Sequence, residues 1–420
     1  MEIEFSHASF KDFENIQGMD AWERAGHFQK YLDYLDENGR LNYRLVSVTG
    51  CGPEMSIITK EHPAPRSCVS FVSNDYLGFT QHPKIKTAVM AGIQKFGSGA
   101  GASPAIGGQF SYHEELEQKI AAFFKWDSAI IYTTGYTANS ATLMSLLQKE
   151  DMAIVDMSVH ASVYEGCQLT NVKAFLHNRL DVLERTLKEC RDKYRTKMVI
   201  VDGVYSQDGD MAPLDKILEL CRHYGAYLAV DDAHGVGVIG DTGRGAMEKY
   251  DVLKQVDLIT GTFSKTFANV GGYVIASAEI ISFLKYQSRQ HLFSATSTPA
   301  AAGILKAIEL LDEEPQWKDK LWENINHFRT GLQSLGFNTG PTESAIIPVK
   351  IGDAAVTATM AKILLAAGIY TNPIIYPAVN KKNARIRMSV MATHTREHLD
   401  KALNAFEDAG KQLSIAREQI

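Results

Sequence analysis

The 420 residues, 45 % hydrophobic and 22 % charged, suffice for two or three domains around a large core, which excludes a minimal binding module, a disulfide scaffold and a disordered region. A formal net charge of −6, from 43 basic against 49 acidic residues, speaks against a general nucleic-acid binder. The acidic start lacks a signal peptide's basic flank, no apolar run of about eighteen residues is present, and the five cysteines include no Cys-x-x-Cys pair. These features predict a cytoplasmic chain with reduced thiols, no membrane span and no metal.

In chain order, the first forty residues stand apart. Phe10, Phe13, Ile16, Trp22, Phe28, Tyr31, Leu32 and Leu35 recur at roughly helical spacing, with Gly18 and Gly26 as breaks. The segment 1–40 holds nine acidic and four basic residues, the wrong sign for anionic lipid, so it reads as an arm packed on the body or on a partner subunit. From residue 71 short apolar runs alternate with helical patterns. A helix is predicted over 113–124, with Leu116, Ile120, Phe123 and Phe124 on one face. Strands are predicted at 129–132, 153–155, 198–201, 227–230, 258–260 and 273–275, with helices at 180–190 and 214–223 among them. This alternation implies an α/β fold with a mostly parallel sheet covered on both faces, whose ligands sit at the carboxyl ends of the strands. After residue 298 come helices at 299–311 and 317–335, a smaller αβ region (345–350, 355–367, 386–390) and a last helix burying Leu399, Ala402, Leu403 and Phe406. The division expected is an arm and segment at 1–70, a large domain at 71–298 and a small C-terminal domain at 299–420.

Gly235-Val-Gly237-Val-Ile-Gly240 matches a dinucleotide fingerprint, but it continues as loop residues instead of opening a helix. The small-residue stretch 97–103 follows a helix and fails on context. Gly261-Thr-Phe-Ser-Lys265 is more informative, because a lysine at the carboxyl end of a strand can form a Schiff base with a carbonyl cofactor, and the hydroxyls of Thr262 and Ser264 can meet a phosphate. Asp231, also at a strand end, can keep a pyridine nitrogen protonated, and His234 can donate to a phenolate oxygen. Asp232 reads as a structural carboxylate that caps a turn.

These residues lie within a longer series: Ser73-Asn-Asp-Tyr-Leu-Gly78, Thr134-Gly-Tyr136, Val159-His-Ala-Ser162, Asp202-Gly-Val-Tyr-Ser-Gln-Asp-Gly-Asp210 and Val230-Asp-Asp-Ala-His234. Gly243-Arg-Gly245, the 261–265 stretch, Phe293-Ser-Ala-Thr296, Arg385-Ile-Arg387 and Ala392-Thr-His-Thr395 follow in order. Over residues 71–395 the chain closely resembles the α-oxoamine synthases, fold type I pyridoxal-phosphate enzymes that condense an amino acid with an acyl thioester.

The resemblance implies roles residue by residue. Lys265 would bind pyridoxal 5'-phosphate and move the Cα proton, Asp231 would pair with the ring nitrogen, and His234 and Ser206 would sit beside the phenolate oxygen. His160 would stack on the ring. Gly135, Tyr136, Thr262 and Ser264 would meet the phosphate, with Ser294 and Thr296 reaching in from the second subunit of a homodimer. Arg387 would hold the substrate carboxylate, with Asn74 and Ser103 lining the same pocket. Departures from the family pattern are Pro104 after Ser103 where arginine is usual, Val159 for asparagine, Gln207 for methionine, Glu165 for aspartate, and a segment 49–55 in place of a short hairpin.

The small residues of 97–108, with His160, Ser103 and Gln109, suggest a polar donor. The reading is therefore serine or cysteate condensed with a long-chain acyl thioester of coenzyme A or a carrier protein, giving a 3-keto sphingoid or sulfonolipid base. The alternatives are the same condensation with glycine or alanine, as in biotin-type synthesis, or an aminotransferase of the same fold.

Overall fold

The computed structural model describes residues 3–6, 8–38, 41, 44–60 and 63–415. The arm holds a short turn, Phe10–Phe13, and a helix, α1, Ala21–Glu37. Gly26 does not break that helix as the sequence suggested. The Asp20 carboxylate accepts from the amides of Trp22 and Glu23, and the Glu23 carboxylate accepts from the Asp20 amide. That reciprocal cap offsets the roughly 1 kcal/mol a mid-helix glycine costs. Gly18, at φ +83°, does form a break. The arm's aromatic residues gather in a cluster of their own, with Phe13 stacked on Tyr31 at 4.7 Å and Phe28 edge-on to Phe10. Asp36 pairs with Lys60 beyond the arm.

Strands β1 (Val46–Ser47) and β2 (Glu54–Ile58) form an antiparallel hairpin, and β3 (Arg66–Ser70) pairs next to β2. The segment 49–55 is therefore the connection of a hairpin and the start of its second strand, not a replacement for one. Helices α2 (Pro83–Phe96) and α3 (Ser111–Phe123) lead into β4 (Ala129–Tyr132), α4 (Gly135–Leu146), β5 (Met152–Asp156), α5 (Ala161–Gly166) and β6 (Asn171–Phe175). Strands β7 (Lys197–Asp202), β8 (Tyr227–Asp231), β9 (Leu258–Thr262) and β10 (Gly272–Ile275) complete a seven-stranded sheet, in the order β4-β10-β9-β8-β7-β5-β6. All its pairings are parallel except those of β10, which runs antiparallel to both its neighbours. Strand β6 escaped the sequence reading because it is an edge strand with a half-exposed, partly polar sequence.

The strands bury both faces. Ile154, Val199, Val201, Leu228 and Val230 belong to one apolar cluster, while their chain neighbours Ala153, Val155, Met198, Ile200 and Ala229 belong to another. Successive side chains point to opposite faces, so each strand needs a near-continuous apolar run. The helices predicted over 180–190 and 214–223 are present as Leu180–Cys190 and Leu214–Tyr224.

In the C-terminal part, β11 (Ile346–Gly352), β13 (Asn372–Ile374) and β14 (Ala384–Ser389) form an antiparallel sheet, while β12 (Ile369–Tyr370) pairs in parallel with β3. The segment before residue 71 thus joins the C-terminal part through a shared sheet. Among the described residues no helix is long and apolar enough to cross a membrane.

Helix α2 lies against the helix Ala302–Glu313 at Gly92, where an added Cβ would stand 2.2 Å from the Pro299 carbonyl oxygen and 2.9 Å from the Ala302 Cβ. Gly92→Ala is expected to lower the urea-unfolding midpoint, by about 1–3 kcal/mol of stability. Gly26→Ala, with nothing within 4 Å of the new Cβ, is expected to leave the midpoint unchanged or raise it. An unchanged midpoint for Gly92→Ala would contradict the close helix contact.

Candidate active site

Strands β5, β7 and β8 each end in an aspartate, Asp156, Asp202 and Asp231, and β9 ends in Thr262. Over these carboxyl ends opens a cavity of about 250 Å³, near the lower end of small-molecule sites. Its wall brings together Gly135, Tyr136, His160, Ser206, Asp231, His234, Thr262, Ser264 and Lys265, from five separate stretches of the chain.

One end of the cavity is built for an anion. Helix α4 starts there, with Thr134 as its cap accepting from the Thr137 amide. The amides of Gly135 and Tyr136 lie in its first turn, where an amide has no intrahelical acceptor and the helix dipole favours negative charge. The hydroxyls of Thr262 and Ser264 stand 2.8 Å apart beside them. A Cβ on Gly135 would approach the Thr262 Cβ to 2.6 Å, so only glycine lets helix and strand meet this closely.

The other end is built around Asp231. Its Oδ2 accepts from the Asn139 side-chain amide (2.6 Å) and its Oδ1 from the Ala233 amide (3.0 Å). Enclosure by protein pushes the Lys265 amine down to about 8, and the carboxylates of Asp231, Asp202 and Asp232 counter that only in part. His160 is likewise held below its usual value by desolvation. Complete burial, with the cations of Lys265 and Arg387 nearby, holds His234 well below and keeps it neutral. Tyr76, pushed up to about 12 by burial, places its hydroxyl 2.6 Å from Nδ1 of His234 and 3.3 Å from Asn74 Oδ1. The tyrosine hydroxyl thus ties His234 to Asn74, to which it donates.

Strand β14 supplies the cations. Arg387 donates from Nε to the Ser206 carbonyl (2.6 Å), from one terminal nitrogen to Asn74 Oδ1 (3.1 Å) and from the other to Ser389 (2.9 Å). Arg385 grips the same loop through Asp208 (2.5 Å) and the Gln207 carbonyl (3.2 Å). Beneath the loop, His177 bridges Asp156 (3.0 Å) and Asp210 (2.9 Å). Burial alone would lower His177, but the two carboxylates outweigh it and hold it up to about 10.

Arg387 and Asn74 thus flank the cavity through Ser206. Ser103, Ser294 and Thr296 do not line it within this chain. Ser103 opens the short turn Pro104–Ile106, its carbonyl accepting from Ile106 and Gly108. Ser294 is exposed, and Thr296 is buried with its hydroxyl 3.2 Å from His113. Asp232 has the structural role expected of it, accepting from the Ala246 amide at 2.7 Å in a cage where a Cβ on Gly203, Gly235 or Gly245 would come within 2.3 Å. The stretch 235–245 is loop, as expected. Val159, the odd residue before His160, is a core residue, and Glu165 accepts from the Tyr136 hydroxyl.

The sequence reading missed Asn139, Ser162, Asp202 and Tyr76 as members of the site. Asp202 carried the same signal as Asp231, a carboxylate closing an apolar strand. It is fully buried, its Oδ1 has no partner among the described residues, and burial with Asp231 alongside holds its carboxyl well above the usual range.

The donor set fits pyridoxal phosphate. Amides and hydroxyls stand where its phosphate needs them, a carboxylate stands for its ring nitrogen, and a partly deprotonated lysine stands for its carbonyl. The comparisons agree. The family model for class I and II aminotransferases matches residues 66–406. The 8-amino-7-oxononanoate synthase of Thermoanaerobacter pseudethanolicus is 40 % identical over 394 residues, 91 % of this chain and 98 % of that one. The corresponding synthase 1 of Bacillus subtilis is 39 % identical, over 83 % of this chain and 89 % of its own. The serine palmitoyltransferase of Sphingomonas wittichii superposes with a TM-score of 0.89 at 30 % identity, covering 95 % of this chain and 100 % of that one. A serine palmitoyltransferase solved with pyridoxal phosphate gives 0.89 at 30 % identity, covering 94 % and 100 %.

This chain belongs to the α-oxoamine synthases. It is a fold type I, pyridoxal-phosphate-dependent acyl-transferring enzyme. The synthase's lysine leads to a direct test, because only the neutral amine attacks a carbonyl. With Lys265 lowered to about 8, its neutral fraction grows as pH rises through that value. The rate at which cofactor-free protein takes up pyridoxal phosphate, followed by absorbance, is expected to climb with a midpoint near 8. Lys265→Ala is expected to lose the covalent absorption band. A rise that continues toward the ordinary lysine value of 10.5 would show that the amine is not enclosed as described.

Proposed function

We propose that this synthase condenses a small neutral α-amino acid, alanine or glycine, with an acyl thioester and releases the thiol and CO2. The observation that carries the choice of donor is the placement of the three residues nominated to receive a polar side chain. Ser103 turns its carbonyl back into its own loop, and Gln109 is exposed; neither lines the cavity. The Nδ1 of His160, the third candidate, is taken by Ser162 at 2.8 Å. The relatives support the same choice, since 8-amino-7-oxononanoate synthases match at 38–41 % identity and serine palmitoyltransferase structures at 30 %. Serine or cysteate, the donors favoured by the sequence, become the second reading, kept because those structures superpose so fully.

When bound, pyridoxal phosphate supplies an electron sink for a carbanion at the amino acid's Cα. Arg387 binds the substrate carboxylate, its guanidinium already aimed by Asn74 and Ser206. Lys265 would take the Cα proton at Nζ; enclosure lowers its amine to about 8, which makes it a base near neutral pH. His160, which desolvation holds below its usual value, would lie against the ring without adding a cation to the site. Asp231 would face the ring nitrogen and keep it protonated.

Thiol release, measured with alanine, glycine, serine and cysteate in turn against acyl thioesters of several chain lengths on coenzyme A and on a carrier protein, tests the donor and acceptor together. Alanine or glycine is expected to exceed both polar donors by at least about tenfold, roughly the discrimination a small pocket achieves. Faster turnover with serine or cysteate would restore the second reading, and formation of a keto acid without thiol or CO2 would mark an aminotransferase.

The synthase works, in this reading, as a homodimer. With Thr296 buried in its own chain, Ser294 beside the exposed Phe293 is the residue left to reach a partner's phosphate end. Chains carrying Lys265→Ala, mixed with chains carrying Ser294→Trp, are each expected to be inactive alone. Hybrid dimers would regain one intact site, about a quarter of full activity after random exchange. No recovery after verified exchange would mean that each chain builds its site unaided.

A further inference from the structure

Asp231, at the end of β8, and His160, at the cap of α5, approach the ring site from different elements, yet one side chain meets the first directly and the second through Ser162. Asn139 is 4 % exposed, on α4 one turn beyond the amides of Gly135 and Tyr136. Its carboxamide nitrogen donates to Asp231 Oδ2 at 2.6 Å and to Ser162 Oγ at 3.0 Å, while its oxygen accepts from the Thr260 hydroxyl at 2.6 Å. The orientation of the amide follows from its neighbours, because a carboxylate only accepts and the nitrogen must therefore face Asp231. Ser162, having accepted from Asn139, turns its own proton to Nδ1 of His160 at 2.8 Å, and the Ser162 amide approaches the same nitrogen at 3.3 Å. His160 Nδ1 is thus an acceptor and its proton sits on Nε2.

We propose that Asn139 is the positioning residue of the ring site. It aims the Asp231 carboxylate and, through Ser162, sets the tautomer and ring plane of His160, so that both contacts to the pyridine ring share one origin. Thr260 keeps the amide from flipping, and α4 ties its position to the phosphate end of the same cavity.

The test is cofactor binding. Asn139→Asp keeps the shape and volume of the side chain but sets a second acceptor against Asp231. It is expected to raise the dissociation constant for pyridoxal phosphate, titrated by absorbance into cofactor-free protein, by roughly 10- to 100-fold. Asn139→Ala is expected to lose less, because it removes a donor without adding repulsion. Ser162→Ala leaves Asn139 on Asp231 and is expected to change affinity little while shifting the pH midpoint of the bound cofactor's long-wavelength absorption. A role in packing alone would reverse the order, with the isosteric aspartate near wild type and alanine the weaker binder, its cofactor-free thermal midpoint lowered. That order would overturn the proposal. If the Asn139 variants do not fold, Ser162→Ala decides, and an unchanged midpoint overturns it. The inference rests on use of this cofactor, and failure of the wild-type protein to bind it is a separate result that would refute that reading first.

Discussion

A carboxylate at the closed end of a parallel sheet is expensive to bury, because burial removes the water that would solvate it. Asp231 stands at such a place, 7 % exposed at the end of β8, and much of the surrounding structure serves to hold it there. One oxygen is satisfied by a backbone amide of the following turn and the other by a side-chain amide from α4. Its neighbours add less competing charge than free carboxylates would. Asp202, across the ladder in register with Asp231, is driven toward its neutral form, and burial pushes Asp232 up to about 7. The nearby cations, Lys265 and Arg387, come from β9's exit and from β14.

The division of labour between the two halves of the molecule follows from this arrangement. The large sheet supplies the groups that face a cofactor, because its parallel strands, all but β10, deliver their carboxyl ends to one edge. The C-terminal sheet supplies arginines that reach across and grip the loop around Ser206. The grip is mutual: Arg387 and Arg385 fix that loop by its carbonyls and Asp208, and the loop in turn aims Arg387. A rigid cofactor end and a cationic substrate clamp therefore meet at a single seam.

Much of this was legible in the residues. The buried strands advertised themselves as short apolar runs, since strands covered on both faces cannot alternate with polar residues. Lys265, Asp231 and His234 could be located by their distance from those runs, and spacing rejected the glycine-rich 235–240 stretch as a nucleotide loop. The edge strand β6 was not legible, because half-exposure blurs its pattern. Helix α1 was misjudged at Gly26, since a cap outweighed the local propensity. The polar pocket inferred from 97–108 was not matched within this chain, where Ser103 and Gln109 stand away from the cavity, because composition says nothing about which way a loop turns.

The sequence by itself determined the fold class, through its family resemblance the cofactor, and the order along the chain of the residues that line the cavity, because strand periodicity and motif spacing are local properties. Only the tertiary structure decided which side chains touch. Asn139 sits 92 residues from Asp231 and Asn74 sits 313 from Arg387, and no local pattern encodes a partner so far away. The tautomer of His160 was likewise set only when Ser162 was folded against it, since a histidine's proton follows its hydrogen-bond partners.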